Sequence, residues 1–252
     1  MMPSTPPDDA AFEECLAGFQ ADVAIAARCF YAVAAINHLA GHDAGLLVKL
    51  NEAPDFWNLV QAANQATLFI ALGRIFDQGS DARHSLDKLV AAAQKGGGAL
   101  FSAQRLSDRK RRSSDSADIW LPAYLKEIYV PVGSDFRALR TVRDRYRKTF
   151  EAAYRPIRLQ VYAHPIASKS QAVQLFSATR VSELQRIIRF LQRLGDGLWG
   201  LYWNGRNPMT RQQFPPMHME RLAAGAPHGG SNSDQQIIVD ATRRVMEQLG
   251  RA

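Results

Sequence analysis

The sequence predicts an all-α fold: an antiparallel bundle of four to five principal helices, with an inserted helical segment and a C-terminal helix. Three observations carry that prediction. Apolar residues recur at spacings of three and four over long stretches, which is the period of one helix face. No segment alternates apolar and polar residues at period two for long enough to make a strand, apart from a few residues near Tyr129. Helix-starting residues, such as Pro54-Asp55, Ser85 and Ser134-Asp135, stand just ahead of the periodic stretches. With 252 residues and 46% hydrophobic content, the chain can bury the core of one elaborated domain.

Residues 1–9 read as a loose tail, because prolines and acids stand where a secretory signal has a basic end and an apolar stretch. Residues 10–205 form the bundle. Phe12, Leu16, Phe19, Val23, Ala26, Phe30 and Val33 make one stripe of a long core helix, which reaches about Leu39 and is closed by Gly41-His42-Asp43. Its apolar run is interrupted by Arg28, Asn37 and His38, short of the ~20 residues that cross a bilayer, so no membrane span is expected. His38 and His42 stand four apart, as a metal-binding pair would. Leu39 occupies the place of the Glu in a zinc-protease pattern, and the preferred reading is a histidine pair at a helix end with no metal. Cys15 and Cys29 read as small buried hydrophobes, which fits a reducing cytoplasm, and two cysteines are too few for a cysteine-based zinc site.

Pro54-Asp55 opens a second helix that is apolar on two adjoining faces from Phe56 to Phe76, which places it in the middle of the bundle. Arg74 and Asp77 at its end suit a local ion pair or a cap. Ser85 caps a shorter helix carrying Leu86, Leu89 and Val90, which ends before Gly96-Gly97-Gly98. Residues 95–133 read as an insertion. Its four adjacent cations, Arg109 to Arg112, read as a solvated mobile loop, with contact to a phosphate backbone as the alternative. Trp120 reads as packing. From Ser134-Asp135 a helix carries Phe136, Leu139, Val142, Tyr146 and Phe150 on one side and Arg140, Arg143 and Arg147 on another. Residues 179–202 make the last strong core helix, with Trp199, Tyr202 and Trp203 as a core plug or dimer contact. Residues 206–252 read as a polar linker followed by a helix that starts at a capping box of Ser233 and Gln236. His84, His218 and His228 fall in connections and read as surface residues.

The chemistry gathers in Arg155-Pro156-Ile157-Arg158-Leu159-Gln160-Val161-Tyr162-Ala163-His164-Pro165. Pro156 donates no backbone N–H and biases Arg155 away from the helical region, so a helix should restart or kink there, and Pro165 does the same to His164. The expected product is a short helical piece with Arg158 in its first turn and His164 just beyond its last. Arg158 is a permanent planar cation suited to phosphate oxygens, and His164 carries the side chain whose ordinary pKa lies nearest neutrality. Together they suit phosphoryl transfer in RNA, with the imidazole moving a proton and the guanidinium steadying charge on the phosphate. Six steps of a regular helix turn the chain by about 600° and advance it about 9 Å, which leaves the two groups about 120° apart. Either the break at Pro165 swings His164 back, or two copies meet about a two-fold axis and share a site.

Arg158, five intervening residues and the Ala163-His164 pair resemble the arginine-to-histidine signature of the HEPN superfamily of helical ribonucleases and nucleotide-binding proteins. The nearer resemblance is to its abortive-infection, AbiU-like branch. Ala71-Leu-Gly-Arg-Ile-Phe-Asp77 with Ser85-Leu-Asp-Lys-Leu89 upstream, and Leu198-Trp-Gly-Leu-Tyr-Trp-Asn-Gly205 downstream, extend the resemblance over roughly residues 10–205. The resemblance implies a dimeric helical bundle and a metal-independent endoribonuclease that needs no cofactor. Its catalytic residues would be Arg158 and His164, with Asp77 and Tyr162 in support. It also implies a role in phage defence of the toxin-antitoxin kind, with an antitoxin protein as a partner beside RNA and a second copy of the chain.

Arg155, Arg147 and Arg143 are the candidates for carrying RNA toward Arg158, and a net charge of +7 with a pI near 9.6 favours polyanionic partners in general. Leu159 stands where the family pattern places Asn or Asp, which favours an alternative: a non-catalytic helical module that binds a nucleotide, RNA or a partner protein. A third reading makes Arg158 and His164 plain helix-end residues, the arginine paired with a carboxylate and the histidine bound to backbone.

Overall fold

The computed structural model describes residues 7–164, 166–208, 219 and 234–251. Residues 1–6, Pro165, the linker that includes His218 and His228, and Ser233 lie outside the described residues. All regular structure among the described residues is helical, and the fold is an all-α bundle. The helices are α1 (Pro7–His42), α2 (Ala44–Asn51), α3 (Pro54–Ile75), α4 (Leu86–Leu100), α5 (Ala103–Ser113), α6 (Ala117–Tyr124) and α7 (Gly133–Thr149). A composite stretch follows: a π turn, π1 (Phe150–Tyr154), one α turn, α8 (Arg155–Ile157), and a second π turn, π2 (Arg158–Ala163). The chain closes with α9 (Lys169–Ser177), α10 (Val181–Asn204) and α11 (Asp234–Arg251). Near Tyr129, the one place where the sequence hinted at a strand, a single backbone bond runs from the Tyr129 N–H to the Gly205 carbonyl at 2.7 Å.

The chain forms two compact units. The first comprises residues 1–21, 74–151 and 189–214. Its core is aromatic and aliphatic: Phe12 meets Phe101 edge-on at 5.6 Å, Phe76 stacks on Phe150 at 4.3 Å, and Tyr146 stacks on Phe190 at 4.2 Å. Ser85 and Ser102 start α4 and α5, each accepting a hydrogen bond from the backbone N–H three residues on. The helix from Ser85 does not stop before the glycines but resumes beyond a break at Gly97 (φ 35°, ψ −126°), a conformation in the left-handed half of the map that favours glycine.

Three expectations are corrected in this unit. Asp9, placed in the loose tail, belongs to α1, which starts at Pro7, and its side chain is buried. Arg109, placed in a solvated basic loop, is buried on α5. Its guanidinium donates to Asp9 Oδ2 at 3.1 Å, to the Leu100 carbonyl at 3.2 Å and to the Tyr202 carbonyl at 2.9 Å, and lies 3.9 Å from the centre of the Tyr202 ring. The Tyr202 hydroxyl completes the cluster by donating to Glu13 Oε1 at 2.7 Å. Two of its neighbours in the basic run are also engaged, Lys110 with Asn204 and Arg111 with Asp118. His84 is half-buried rather than a surface residue, with its ring seated on Gly18 where a Cβ would stand.

The second unit comprises residues 22–73, 152–188 and 215–252. Ile36, Leu46, Leu50 and Met246 form a buried cluster against Trp57, Val60 and Leu249, so the C-terminal helix packs on the bundle through α2. Helix α2 starts at Asp43, whose Oδ1 accepts from the Leu46 N–H at 3.0 Å. Tyr154 is buried with its hydroxyl 3.0 Å from both Glu183 Oε2 and the Arg180 carbonyl, which share its one proton; burial first, then the bond to Glu183, pushes its phenol well above the usual range.

A stretch within Asp8–His42 has a mean hydropathy of 1.5, enough in length and composition for a bilayer span. The interruptions at Arg28, Asn37 and His38 thus do not bring the run below that threshold, and in the fold Arg28 and Asn37 sit on the exposed side of the helix. Phe12, Leu16, Phe19, Val23, Ala26, Ala27, Phe30 and Tyr31 on the other side are buried in the protein's own core.

Candidate functional site

Pro156 determines the local backbone of the motif. A regular helix would take an N–H from residue 156 to the carbonyl of residue 152, and proline has none. The chain answers by widening. π1 precedes the proline, α8 restarts around it, and π2 follows with Arg158 as its first residue. Tyr154 (φ −109°, ψ −30°) and Arg158 (φ −53°, ψ −48°) keep right-handed helical backbone, so the restart occurs without the chain leaving its helical course. π2 ends at His164, whose N–H donates to the Leu159 carbonyl, five residues back, at 2.9 Å. His164 then turns out of the helix (φ −136°, ψ 87°), and its carbonyl accepts from Ile166 N at 2.7 Å. Widened turns of this kind recur at functional sites, where they re-aim a side chain that a regular helix would leave elsewhere.

The arginine therefore opens one six-residue π turn and the histidine is the residue that caps its end. Arg158 is half-buried and His164 is exposed. Arg158 passes over Gly73 of α3: a Cβ built on Gly73 would lie 2.6 Å from Arg158 Cδ and 2.9 Å from Cζ. The absence of a side chain at Gly73 is what gives the guanidinium its path. Among the described residues no carboxylate pairs with Arg158 and no group hydrogen-bonds the His164 ring.

Tyr162 braces the turn from the other side. Its ring stacks on Phe69 at 5.3 Å and meets Phe176 edge-on at 6.4 Å, and its hydroxyl donates to Gln65 Oε1 at 3.3 Å. Burial pushes its phenol above the usual range. Tyr162 is placed to hold π2 against α3 and α9. Arg155 is exposed and carries no ion pair among the described residues.

The other sequence candidates belong to the first unit. Asp77 is exposed and folds back on its own turn, accepting from the Gly79 N–H at 3.0 Å. Arg143 and Arg147 of α7 are both held by carboxylates. Arg147 meets Asp87 at 2.7 Å and Asp144 at 2.6 Å, and Arg143 meets the same two at 3.2 and 2.8 Å. Two cations sharing two carboxylates make a nearly neutral cluster, so these two arginines offer RNA less than their sequence positions suggest.

A family model described as AbiU2, of the HEPN group, matches residues 9–213, which include the whole arginine-to-histidine segment. The chain belongs to the AbiU2 family of HEPN proteins. No curated protein and no solved structure matches it.

Sequence reasoning about this AbiU2 chain missed Gly73 as the residue that accommodates Arg158. The available signal was a lone glycine inside an otherwise strong helix, a position that costs about 1 kcal/mol against alanine and asks for a packing reason. It also missed α9, whose Ser168 and Gln171 exchange the reciprocal bonds of a capping box and fix where the chain re-enters a helix after His164. At the end of α1, the His42 ring nitrogen lies 2.7 Å from the His38 carbonyl. Among the described residues no group of three or more His, Cys, Asp or Glu is placed to hold a metal ion.

Proposed function

We propose that this AbiU2 protein is a metal-independent endoribonuclease acting in abortive infection, with Arg158 and His164 as its catalytic residues. The observation that carries the reading is the half-buried Arg158, free of a carboxylate partner among the described residues, at the start of a π turn that ends on the exposed His164. In the proposed reaction the 2′-hydroxyl oxygen of one nucleotide attacks the adjacent phosphorus while the imidazole takes its proton. The P–O5′ bond breaks, the departing 5′ oxygen gains a proton, and the guanidinium steadies the negative charge that gathers on the phosphate oxygens. The products are a 2′,3′-cyclic phosphate and a 5′-hydroxyl.

Two copies of the chain assemble the site in this proposal, because one π turn carries one arginine and one histidine at opposite ends. The second unit leaves Phe56, Leu59, Ile166 and Val173 more than half exposed, an apolar supply for a homodimer contact. An antitoxin protein is the proposed further partner. The test is incubation of purified protein with RNA in excess chelator, comparing wild type with Arg158→Ala and His164→Ala. Leu159, half-buried beside Arg158, favours the second reading of a module that binds RNA or nucleotide without cutting it. Tight RNA binding by the wild type with no cyclic-phosphate product would select that reading.

A further inference from the structure

Arg143 and Arg147 are neutralised, yet α7 carries two more arginines a turn or two nearer its start. Arg137 is exposed, Arg140 is half-buried, and neither has an ion pair among the described residues. Both line a cleft of about 320 Å³ in the first unit, together with Gly97, Gly98, Gly133 and Phe136. Three glycines leave part of the wall without side chains, beside Gln94, Pro131 and Phe136. A Cβ added at Gly97 or Gly98 would meet nothing within 4 Å, and one at Gly133 would meet only the Arg137 guanidinium, at 3.4 Å. Gly97 holds the left-handed conformation (φ 35°) that breaks α4, so the kink that opens the cleft is written into the Gly96-Gly97-Gly98 run.

Asp135 and Asp144, the acids on the same helix, are engaged elsewhere, Asp144 with Arg143 and Arg147. Asp135 Oδ2 accepts from the Tyr129 hydroxyl at 2.6 Å and from the Val132 N–H at 2.7 Å, and Asp135 is not among the residues lining the cleft. That bond to Val132 also occupies part of the N-terminus of α7, which leaves the arginines as the anion-holding groups. Two guanidinium forks beside a stretch of glycine backbone fit a phosphate group, which is small and needs several donors at close range.

We infer that the cleft of Arg137 and Arg140 binds nucleotide phosphate, at a site outside the arginine-to-histidine segment. Phosphate on free nucleotides and phosphate in an RNA backbone share this chemistry. The site does not depend on whether the chain cuts RNA, so its test uses a His164→Ala background in which RNA stays intact.

Full-length protein is titrated with inorganic phosphate, with AMP and with a short single-stranded RNA, the last by anisotropy over a range of salt. The Arg137→Gln/Arg140→Gln double variant is expected to bind RNA at least tenfold more weakly at moderate salt. Its plot of log affinity against log salt should be shallower by about 1.4, two contacts at about 0.7 each for a single strand. Arg145→Gln, an exposed cation on the same helix, is expected to match the parent. Loss restricted to RNA identifies a backbone site, and loss of AMP and phosphate binding as well identifies a free-nucleotide site. Binding by the double variant equal to that of Arg145→Gln, or no binding of any probe by the parent, overturns the inference. Circular dichroism confirms that each variant keeps its helical content.

Discussion

Gly73→Ala separates stability from activity at one atom. The new methyl would stand where Arg158 now runs, 2.6 Å from its Cδ and 2.9 Å from its Cζ, which no pair of carbons tolerates. The side chain that must give way is long and flexible, so the clash is relieved by moving the guanidinium and not the helices. Alanine in place of glycine within a helix gains about 0.5–1 kcal/mol. For a protein of this size that raises the thermal midpoint by about 1–4 °C. Loss of a group aimed at the charge of the transition state costs about 10²–10³ in rate. The expected variant is therefore as stable as the wild type or more so, and cuts RNA at a rate near that of Arg158→Ala. Thermal melts followed by circular dichroism and single-turnover cleavage of end-labelled RNA measure the two quantities. Cleavage by Gly73→Ala at the wild-type rate would refute the reasoning that Arg158 acts from its path over α3.

The buried Arg109 cluster predicts the opposite pattern. Asp9→Ala leaves a side chain of 0% exposure charged and without the carboxylate it is paired with, at an expected cost of about 3–5 kcal/mol in urea unfolding, and a loss under about 1 kcal/mol would contradict that placement. Cys15 supplies a pH dependence. Desolvation by burial, followed by the charge of Glu14, pushes its thiol up to about 11 from an ordinary 9.0. The folded state therefore holds the proton more tightly than the unfolded one. The associated stability is complete below about pH 9 and is lost as pH climbs through about 11, by about 2–3 kcal/mol in all. Cys15→Ala should lose less stability than wild type between pH 8 and 10.5, and an equal loss in both proteins would contradict the shift. The same burial should leave Cys15 slow toward thiol reagents at pH 8 until the chain is unfolded.

Periodicity made the long helices legible, since α1, α7 and α10 each carry an apolar stripe that is largely buried, whereas α3 is buried only from Leu68 onward: Phe56, Leu59 and Ile70 are exposed, so the central place predicted from its two apolar faces holds for its second half alone. The short helices were harder to see. One or two turns hold too few apolar residues to set a period, although Asp43 ahead of α2 and Ser168 with Gln171 ahead of α9 were available as start signals. Arg109 misled because a run of like charges reads as solvated. The better signal was its position three residues after Leu106, which puts both on the buried face of α5. No local pattern points from Arg109 to Asp9, a hundred residues away in the chain, so the partner of that buried charge was not readable in advance. In the motif, Pro156 announced a missing N–H, but whether a helix then breaks, kinks or widens depends on what packs around it. Tyr162 stacked on Phe69 holds the widened form here.

The most direct test of the account is the cleavage assay in excess chelator, with the 3′ ends of the products identified. Wild-type protein should leave 2′,3′-cyclic phosphates, while Arg158→Ala and His164→Ala, folded by circular dichroism, should each lose cleavage by at least about a hundredfold. Wild-type rates in both variants, or products ending in a 3′-hydroxyl, would contradict it.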